Sequence, residues 1–247
     1  MEFLLKMQVP DGDRAGMAHH KIHDKEWTAL GLAPHEDQMP RFLSPPSTAA
    51  TLNLAAVAAQ AARIWQSINP AFSARCLAAA ERAWKATQRH PAVFAPPGGV
   101  GGGPYEDNKV DDEFYWAAAE LYISTKKPEY KQFIASSPYY LKLTPRLPSI
   151  KEGEDVASAM TWQTTAALGT ISLAVVPNGL GDSETARARK AVTKAADAYM
   201  QILQKRPYRV PIDYGKANKA PWGSTSFLLN NLVVLALAHD FNGGQRY

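Results

Sequence analysis

A chain of 247 residues is long enough to bury a substantial core and to form one or two domains. Its 46% hydrophobic and 20% charged residues exclude global disorder, and no apolar run reaches the roughly 20 residues that a membrane helix needs. The net charge is +4, but the basic residues are scattered along the sequence rather than clustered, which argues against nucleic-acid binding. The single cysteine, Cys76, excludes an internal disulfide framework.

The apolar residues recur mostly with the period of a helix. Residues 2–8 (EFLLKMQ) predict the last turns of one helix, and residues 51–65 predict the next, capped by Ser47 or Thr48. Asn69 and Pro70 are a cap and a first-turn proline for another. Further helices are predicted over residues 111–125, 128–136, 156–173, 182–205 and 224–241.

No stretch alternates with period two, so no substantial sheet is predicted. Many helices are rich in alanine, which favours helix and lets neighbouring helices approach closely. Paired helices with long irregular loops on one side fit an α/α toroid better than a TPR or HEAT solenoid, whose repeats are absent. Because the chain opens inside a helical pattern, we expect residues 1–247 to be part of one domain truncated at both ends.

Three consecutive acidic residues, Asp111, Asp112 and Glu113, open the helix DDEFYWAAAELY. They allow three interpretations: favourable charge at a helix N-terminus, a hard-cation site with oxygen ligands from the preceding loop, or a catalytic pair. Adjacent residues on a helix diverge by about 100 degrees, which argues against two of them facing each other as acid and base.

Two other motifs carry weaker signals. The glycine run at residues 98–103 lacks the Lys and Ser/Thr of a phosphate-binding loop, which favours a flexible or close-packed loop. His19 and His23 of HHKIH would be one turn apart in a helix, but a third zinc ligand is not evident, so a structural or surface role is favoured.

Aromatic residues at or beside predicted helix starts are candidates for stacking on sugar rings. They are Tyr105, Trp222 and Phe227. Packing in the core is the alternative for each of them.

Three segments together resemble family 9 of the glycoside hydrolases, the inverting endoglucanases and related cellulases. They are GGGPYEDNKVDDEFYWAAAELY, RFLSPPSTAATLNLAAVAAQAARIW and WGSTSFLLNNLVVLALAHDF. The resemblance covers nearly the whole chain. It implies an all-α fold, the (α/α)6 barrel, with an open cleft for β-1,4-glucan across its loop face.

The resemblance also implies a structural calcium site. Asp112 and Glu113 are similar to the family's calcium-binding carboxylates, and loop atoms near Asn108 would contribute. Gln163 stands where the family often has an Asp, which implies a weaker site or one built differently. In the cleft, Trp222 resembles the tryptophan of the family's Trp-Gly-Ser segment. Phe227 resembles a nearby aromatic that is often Tyr, and Tyr105 resembles a subsite tyrosine.

The catalytic motifs of the family are absent from this sequence. The base lies in an Asp-Ala-Gly-Asp segment and the acid in an Asn-Glu segment, and neither occurs here. We therefore expect part of a cellulase domain that is inactive alone and whose partners are β-1,4-glucan and the remaining segments of the domain. A non-catalytic glycan-binding module and a toroid hydrolase for another β-linked glycan remain open. Secretion is implied by the resemblance alone, since the N-terminal apolar run is too short for a signal peptide.

Overall fold

The structure, a computed structural model, describes residues 1–97, 101–103, 105–147, 156–215, 220, 223–244 and 246–247. The helices are α1 (Glu2–Lys6), α2 (Thr48–Trp65), α3 (Pro70–Arg89), α4 (Asp111–Thr125), α5 (Pro128–Ser136), α6 (Ala166–Val175), α7 (Asp182–Lys205) and α8 (Ser224–Asn242). The strands are β1 (Ala18–His19), β2 (Ile22–Asp24), β3 (Arg41–Leu43) and β4 (Pro46–Ser47). The chain divides into two compact units, Met1–Thr125 and Lys126–Tyr247.

The first unit is organised around α2, which contacts α3 on one side and α4 on another. Alanine occupies most of the buried positions of α2, so neighbouring backbones approach closely. Two small antiparallel pairings, β1 with β4 and β2 with β3, hold the segment between α1 and α2 against this core. The strands have only two or three residues each, in agreement with the expectation of no substantial sheet.

The helix starts of the first unit follow the predicted capping chemistry. The side chain of Ser47 accepts a hydrogen bond from the backbone N–H of Ala50 at 3.2 Å, which caps α2. Asn69 accepts from the N–H of Phe72 at 3.0 Å and Pro70 takes the first position of α3, as the sequence indicated.

A buried polar bridge joins α2 to α4. The Glu120 carboxylate is fully buried and accepts hydrogen bonds from Arg63 at 2.5 Å and Gln60 at 2.7 Å, both on α2. The indole N–H of Trp116, one turn earlier on α4, donates to the same carboxylate at 3.2 Å. The buried Glu120 carboxylate therefore has both a positively charged partner and hydrogen-bond donors, as a buried carboxylate requires.

In the second unit α7 packs against both α6 and α8. Gly243 adopts the left-handed conformation just after α8, at the helix stop that the Asn-Gly-Gly run predicted. The Asn231 side chain, buried on α8, donates to the backbone carbonyl oxygens of Ala157 at 2.6 Å and Pro211 at 2.8 Å. These bonds fix two irregular segments to the helix.

The predicted helix over residues 156–173 is wrong at its start, because α6 begins at Ala166. Residues 156–165 are irregular, and their backbone groups bond to other segments instead; the N–H of Ala157, for example, donates to the carbonyl of Asp213 at 2.8 Å. The other predicted helices have the expected positions. Within the described part of the chain, no helix combines the length and apolar character needed to cross a bilayer.

Candidate functional site

A long loop between β2 and β3 forms one wall of the candidate site. Its base is closed by an ion pair in which Arg41 Nε donates to Asp24 Oδ1 at 3.1 Å. Farther along, the Thr28 hydroxyl donates to Asp37 Oδ2 at 3.0 Å. These bonds fix the ends of the loop while its tip remains exposed to solvent.

The described part of the glycine run, residues 101–103, packs closely against the segment around β2, which agrees with one of the two sequence interpretations. Gly101 has φ of +68° and lies so near the Asp24 carbonyl group that no side chain would fit there. The Lys21 ammonium group donates to the Gly103 carbonyl oxygen at 2.6 Å. The run therefore joins the segment before α4 to the segment around β2. Residues 98–100 and 104 lie outside the described part.

Three exposed aromatic residues occur on the segments that meet at this junction. The ring of Tyr105 lies against Gly103, with 41% of the residue exposed, and its backbone has φ of +55°, a costly conformation for a non-glycine residue. Phe42 of β3 stacks on His23 of β2, with ring centroids 5.9 Å apart. Trp27 is 67% exposed on the β2–β3 loop. We call Trp27, Phe42 and Tyr105 the aromatic cluster.

The sequence indicates Tyr105 as a candidate cleft aromatic but gives no such indication for Trp27 and Phe42. Neither of these two residues stands at a helix start, the position that marks Tyr105, Trp222 and Phe227 as candidates. A tryptophan between charged residues in a Pro- and Gly-punctuated loop, as in DKEWTALGLAP, was the available indication that this ring is exposed.

The two other predicted cleft aromatics belong to the second unit. Phe227 lies in the first turn of α8 with 9% of its surface exposed, which favours the packing interpretation for this ring. Trp222 lies outside the described residues.

A second feature of the first unit is a group of buried carboxyls at the start of α4, formed by Asp107, Asp112 and Glu113. Asp107 Oδ1 accepts from the backbone N–H of Lys109 at 2.9 Å, which turns the loop into the helix. Asp107 Oδ2 and both oxygens of Glu113 have no hydrogen-bond partner among the residues that the structure describes. Buried polar atoms without partners are rare in proteins and call for an explanation.

The electrostatics of this group are unfavourable for negative charge. Burial, followed by the charges of Asp112 and Asp107, raises the pKa of Glu113 to about 10. Burial also raises the pKa of Asp107, with the Asp112 charge adding to the effect. Oxygen ligands poor in positive neighbours are suited to a hard divalent cation, and such an ion would offset both the burial and the repulsion.

The structure shows less about the two other predicted ligands, Asn108 and Gln163. Asn108 is exposed in the loop before α4. Gln163 is half-buried in the second unit, and its backbone N–H donates to the Thr161 hydroxyl at 3.3 Å. In the described ranges, no three or more His, Cys, Asp or Glu side chains form a ready-made metal centre. The carboxyl oxygens of Asp107, Asp112 and Glu113 are the kind of ligand that calcium prefers. Among the described residues, however, His, Cys, Asp and Glu side chains alone do not form a complete coordination shell.

Comparison with known proteins decides the family. The sequence model that represents glycosyl hydrolase family 9 matches residues 1–247. The chain belongs to this family. Family 9 membership confirms the resemblance deduced from the three sequence segments.

Two curated family 9 relatives illustrate the similarity. The chain is 48% identical over 260 residues to a cellulose 1,4-beta-cellobiosidase of Acetivibrio thermocellus and 41% identical over 256 residues to endoglucanase C of Cellulomonas fimi. The match covers 100% of this chain in both cases but only 29% and 21% of the relatives. The chain thus spans less than a third of their length.

A solved metagenome-derived family 9 endoglucanase has the same fold, with a TM-score of 0.80 and 28% identity. The match covers 98% of this chain and 41% of the solved one. Together with the helices of the described residues, this likeness confirms the predicted fold class, all-α and part of an (α/α)6 barrel.

Proposed function

We propose that this family 9 chain forms part of the catalytic domain of an inverting hydrolase that cleaves internal β-1,4-glucosidic bonds of cellulose or related glucans. The observation that carries the proposal is the exposure of the three rings of the aromatic cluster on segments that meet at the closely packed residues 101–103. Flat rings on fixed loops orient sugar rings, which are apolar on their faces and polar at their edges. The names of the two curated relatives, a cellobiosidase and an endoglucanase, support a glucan as substrate.

The chain's contribution is substrate positioning rather than bond cleavage. An inverting hydrolase needs one carboxylate to activate water and another, roughly 6.5–9.5 Å away, to protonate the leaving oxygen. Asp111, Asp112 and Glu113 do not suit this task, because the last two are buried and adjacent helix positions diverge. Because neither the Asp-Ala-Gly-Asp nor the Asn-Glu motif of the family occurs in the sequence, the proposal assigns the base and the acid to polypeptide outside these 247 residues. Trp222 and Phe227 stand as substrate contacts on the resemblance alone.

A structural calcium ion at the start of α4 completes the proposal. Asp112 and Glu113 would hold it, and the neighbouring Asp107 would be a third carboxylate ligand. Asn108 and Gln163 stand as neutral ligands on the resemblance alone. Asp107 Oδ2 and both Glu113 oxygens, which have no hydrogen-bond partner among the described residues, support this assignment. The ion would supply positive charge and fix the loop that carries Tyr105. Because polymeric glucan does not enter cells, action on it also implies an extracellular enzyme.

Substitution in the aromatic cluster tests the positioning role. We expect Trp27→Ala to weaken binding of the chain to soluble β-glucan by at least about tenfold, because a stacking surface is lost. Affinity electrophoresis in gels with and without barley β-glucan measures the change.

The matched control is Tyr208→Ala, which removes an aromatic ring that is 97% exposed but lies in the second unit. We expect this variant to keep the mobility shift of the unmodified chain. Equal affinity of all three proteins would contradict a stacking role for the cluster.

A further inference from the structure

One tryptophan of the second unit is exposed on a segment that is otherwise shielded from solvent. In the irregular residues 156–165, which precede α6, residues 157–160 are buried and so is Thr165. Trp162 is the one exposed residue of these ten. Tryptophan side chains are on average highly buried, so the exposure of this ring calls for an explanation.

Trp162 stands at the first corner of a tight turn. The backbone N–H of Thr161 donates to the carbonyl oxygen of Thr164 at 3.0 Å, and the N–H of Thr164 donates back to the Thr161 carbonyl at 3.3 Å. The hydroxyl groups of the same two threonines share a hydrogen bond of 2.7 Å. Only Trp162 and Gln163 lie between the paired residues. The backbone that carries the indole ring is therefore fixed, which lowers the entropy cost of binding a ligand on it.

Helix α8 fixes the segment that leads into this turn. The Asn230 side chain donates to the carbonyl oxygen of Met160 at 3.0 Å, and the Ser158 hydroxyl donates to the same carbonyl at 2.8 Å. The next residue of α8, Asn231, donates to the Ala157 carbonyl at 2.6 Å. The turn is thus attached to a long helix, and the exposed ring is not part of a loosely held loop.

The surroundings of the ring are polar but uncharged. None of residues 156–165 is charged, and the neighbours of Trp162 in the turn carry hydroxyl and amide groups. A pyranose ring has an apolar face and hydroxyl groups at its edge, so an exposed indole beside neutral hydrogen-bonding side chains matches it. A protein-docking surface would instead present a contiguous apolar patch, whereas this segment exposes a single ring.

We infer that Trp162 is a second stacking site for a glucose ring of β-1,4-glucan, in addition to the aromatic cluster of the first unit. This inference rests on the proposed function, since it takes a glucan as the ligand, and it assigns a substrate contact to the second unit. A polymer offers many identical rings, so each stacking site adds to its affinity for the chain.

Oxidation of tryptophan by N-bromosuccinimide tests the inference on the unmodified chain. The reagent attacks exposed indole rings, and peptide mass spectrometry assigns the oxidised residue. Trp65 is the matched control, because it is 37% exposed against 45% for Trp162 and packs edge-on against Phe72 in the first unit. Barley β-glucan is the probe, and dextran, which has no β-1,4 linkages, controls for consumption of the reagent.

We expect barley β-glucan at about ten times its dissociation constant to slow the oxidation of Trp162 roughly tenfold. The rate at Trp65 should not change, and dextran should protect neither ring. Protection of Trp27 without protection of Trp162 would overturn the inference and leave the proposed function standing, whereas protection of neither would contradict both. Slow oxidation of Trp162 without glucan, together with a dimer mass by light scattering, would identify a second copy of the chain as the occupant and also overturn the inference.

Substitution gives an independent measurement of the same contact. In affinity electrophoresis we expect Trp162→Ala to bind barley β-glucan at least about tenfold more weakly than the unmodified chain, and Trp162→Phe, which keeps part of the stacking surface, to lose less. Equal affinity of the three proteins would overturn the inference. A fall in melting temperature that both variants share, with unchanged glucan affinity in Trp162→Phe, would assign the ring to packing and count against it too.

Discussion

Neither carboxyl oxygen of Glu113 has a hydrogen-bond partner among the described residues, and a buried carboxyl group of this kind needs either a proton or a cation to be stable. If calcium is that cation, saturating calcium should raise the melting temperature of the chain by roughly 5 to 10 °C over chelator, as for a ligand at about 100 times its dissociation constant. Glu113→Gln keeps the shape of the side chain but removes its charge, so we expect the calcium response to be largely lost. Scanning calorimetry with calcium and with EDTA measures both effects.

The control for this experiment is Glu129→Gln, which removes an exposed carboxylate from the first turn of α5. We expect its melting temperature to respond to calcium as strongly as that of the unmodified chain. A melting temperature of the unmodified chain that is the same in calcium and EDTA would argue against the metal site.

Individual residues differ in how far the sequence reveals their role. The acidic start of α4 is visible as a pattern that leaves three interpretations open, and it is the resemblance to family 9 that singles out Asp112 and Glu113 as calcium ligands. Asp107 was not singled out, because the burial of a loop residue depends on what packs over it. Exposure of the Trp27 ring is equally a tertiary property, since a tryptophan is more often part of a core.

At the scale of elements, we expect the buried polar bridge between α2 and α4 to contribute strongly to the stability of the first unit. Arg63→Met keeps the aliphatic length of the side chain but removes the guanidinium group that pairs with the buried Glu120 carboxylate. We expect a loss of about 3–5 kcal/mol in the free energy of unfolding, measured by urea titration.

Arg75→Met is the matched comparison for Arg63→Met. Arg75 pairs with Glu2 at the surface, where both side chains are more than half exposed. Solvent screening limits such a pair, so its loss should cost about 1 kcal/mol or less. A similar loss in the free energy of unfolding for the two substitutions would show that the buried bridge stabilises the protein no more than a surface ion pair does.

Elements with local start and stop signals were predicted well. The Ser47 and Asn69 caps and the glycines after α8 each bond within a few residues, so the sequence alone indicates them. The start of α6 was predicted ten residues too early because the segment before it is apolar yet not helical. Its conformation depends on long-range bonds to Asp213 and Asn231, which no local pattern encodes.

At the scale of the whole molecule, the fold class followed from the helical periodicity and the three family segments. Under the proposed function, hydrolysis of glucan needs the family's base and acid motifs, neither of which occurs in this sequence. The participation of this chain in glucan hydrolysis can be tested in a relative, because a cellobiosidase that is 48% identical can receive the chain as a graft.

Hydrolysis should appear only in that complete context. We expect the 247-residue chain alone to release no reducing sugar from carboxymethyl cellulose, since it holds neither the catalytic base segment nor the acid segment of the family. Grafted into the Acetivibrio thermocellus cellobiosidase, the chain should support hydrolysis, with the unmodified relative as the positive control. Sugar release by the chain alone would contradict the proposed division of labour. A folded graft that binds glucan without cleaving it would favour a non-catalytic binding module, because only positioning groups would then have been contributed.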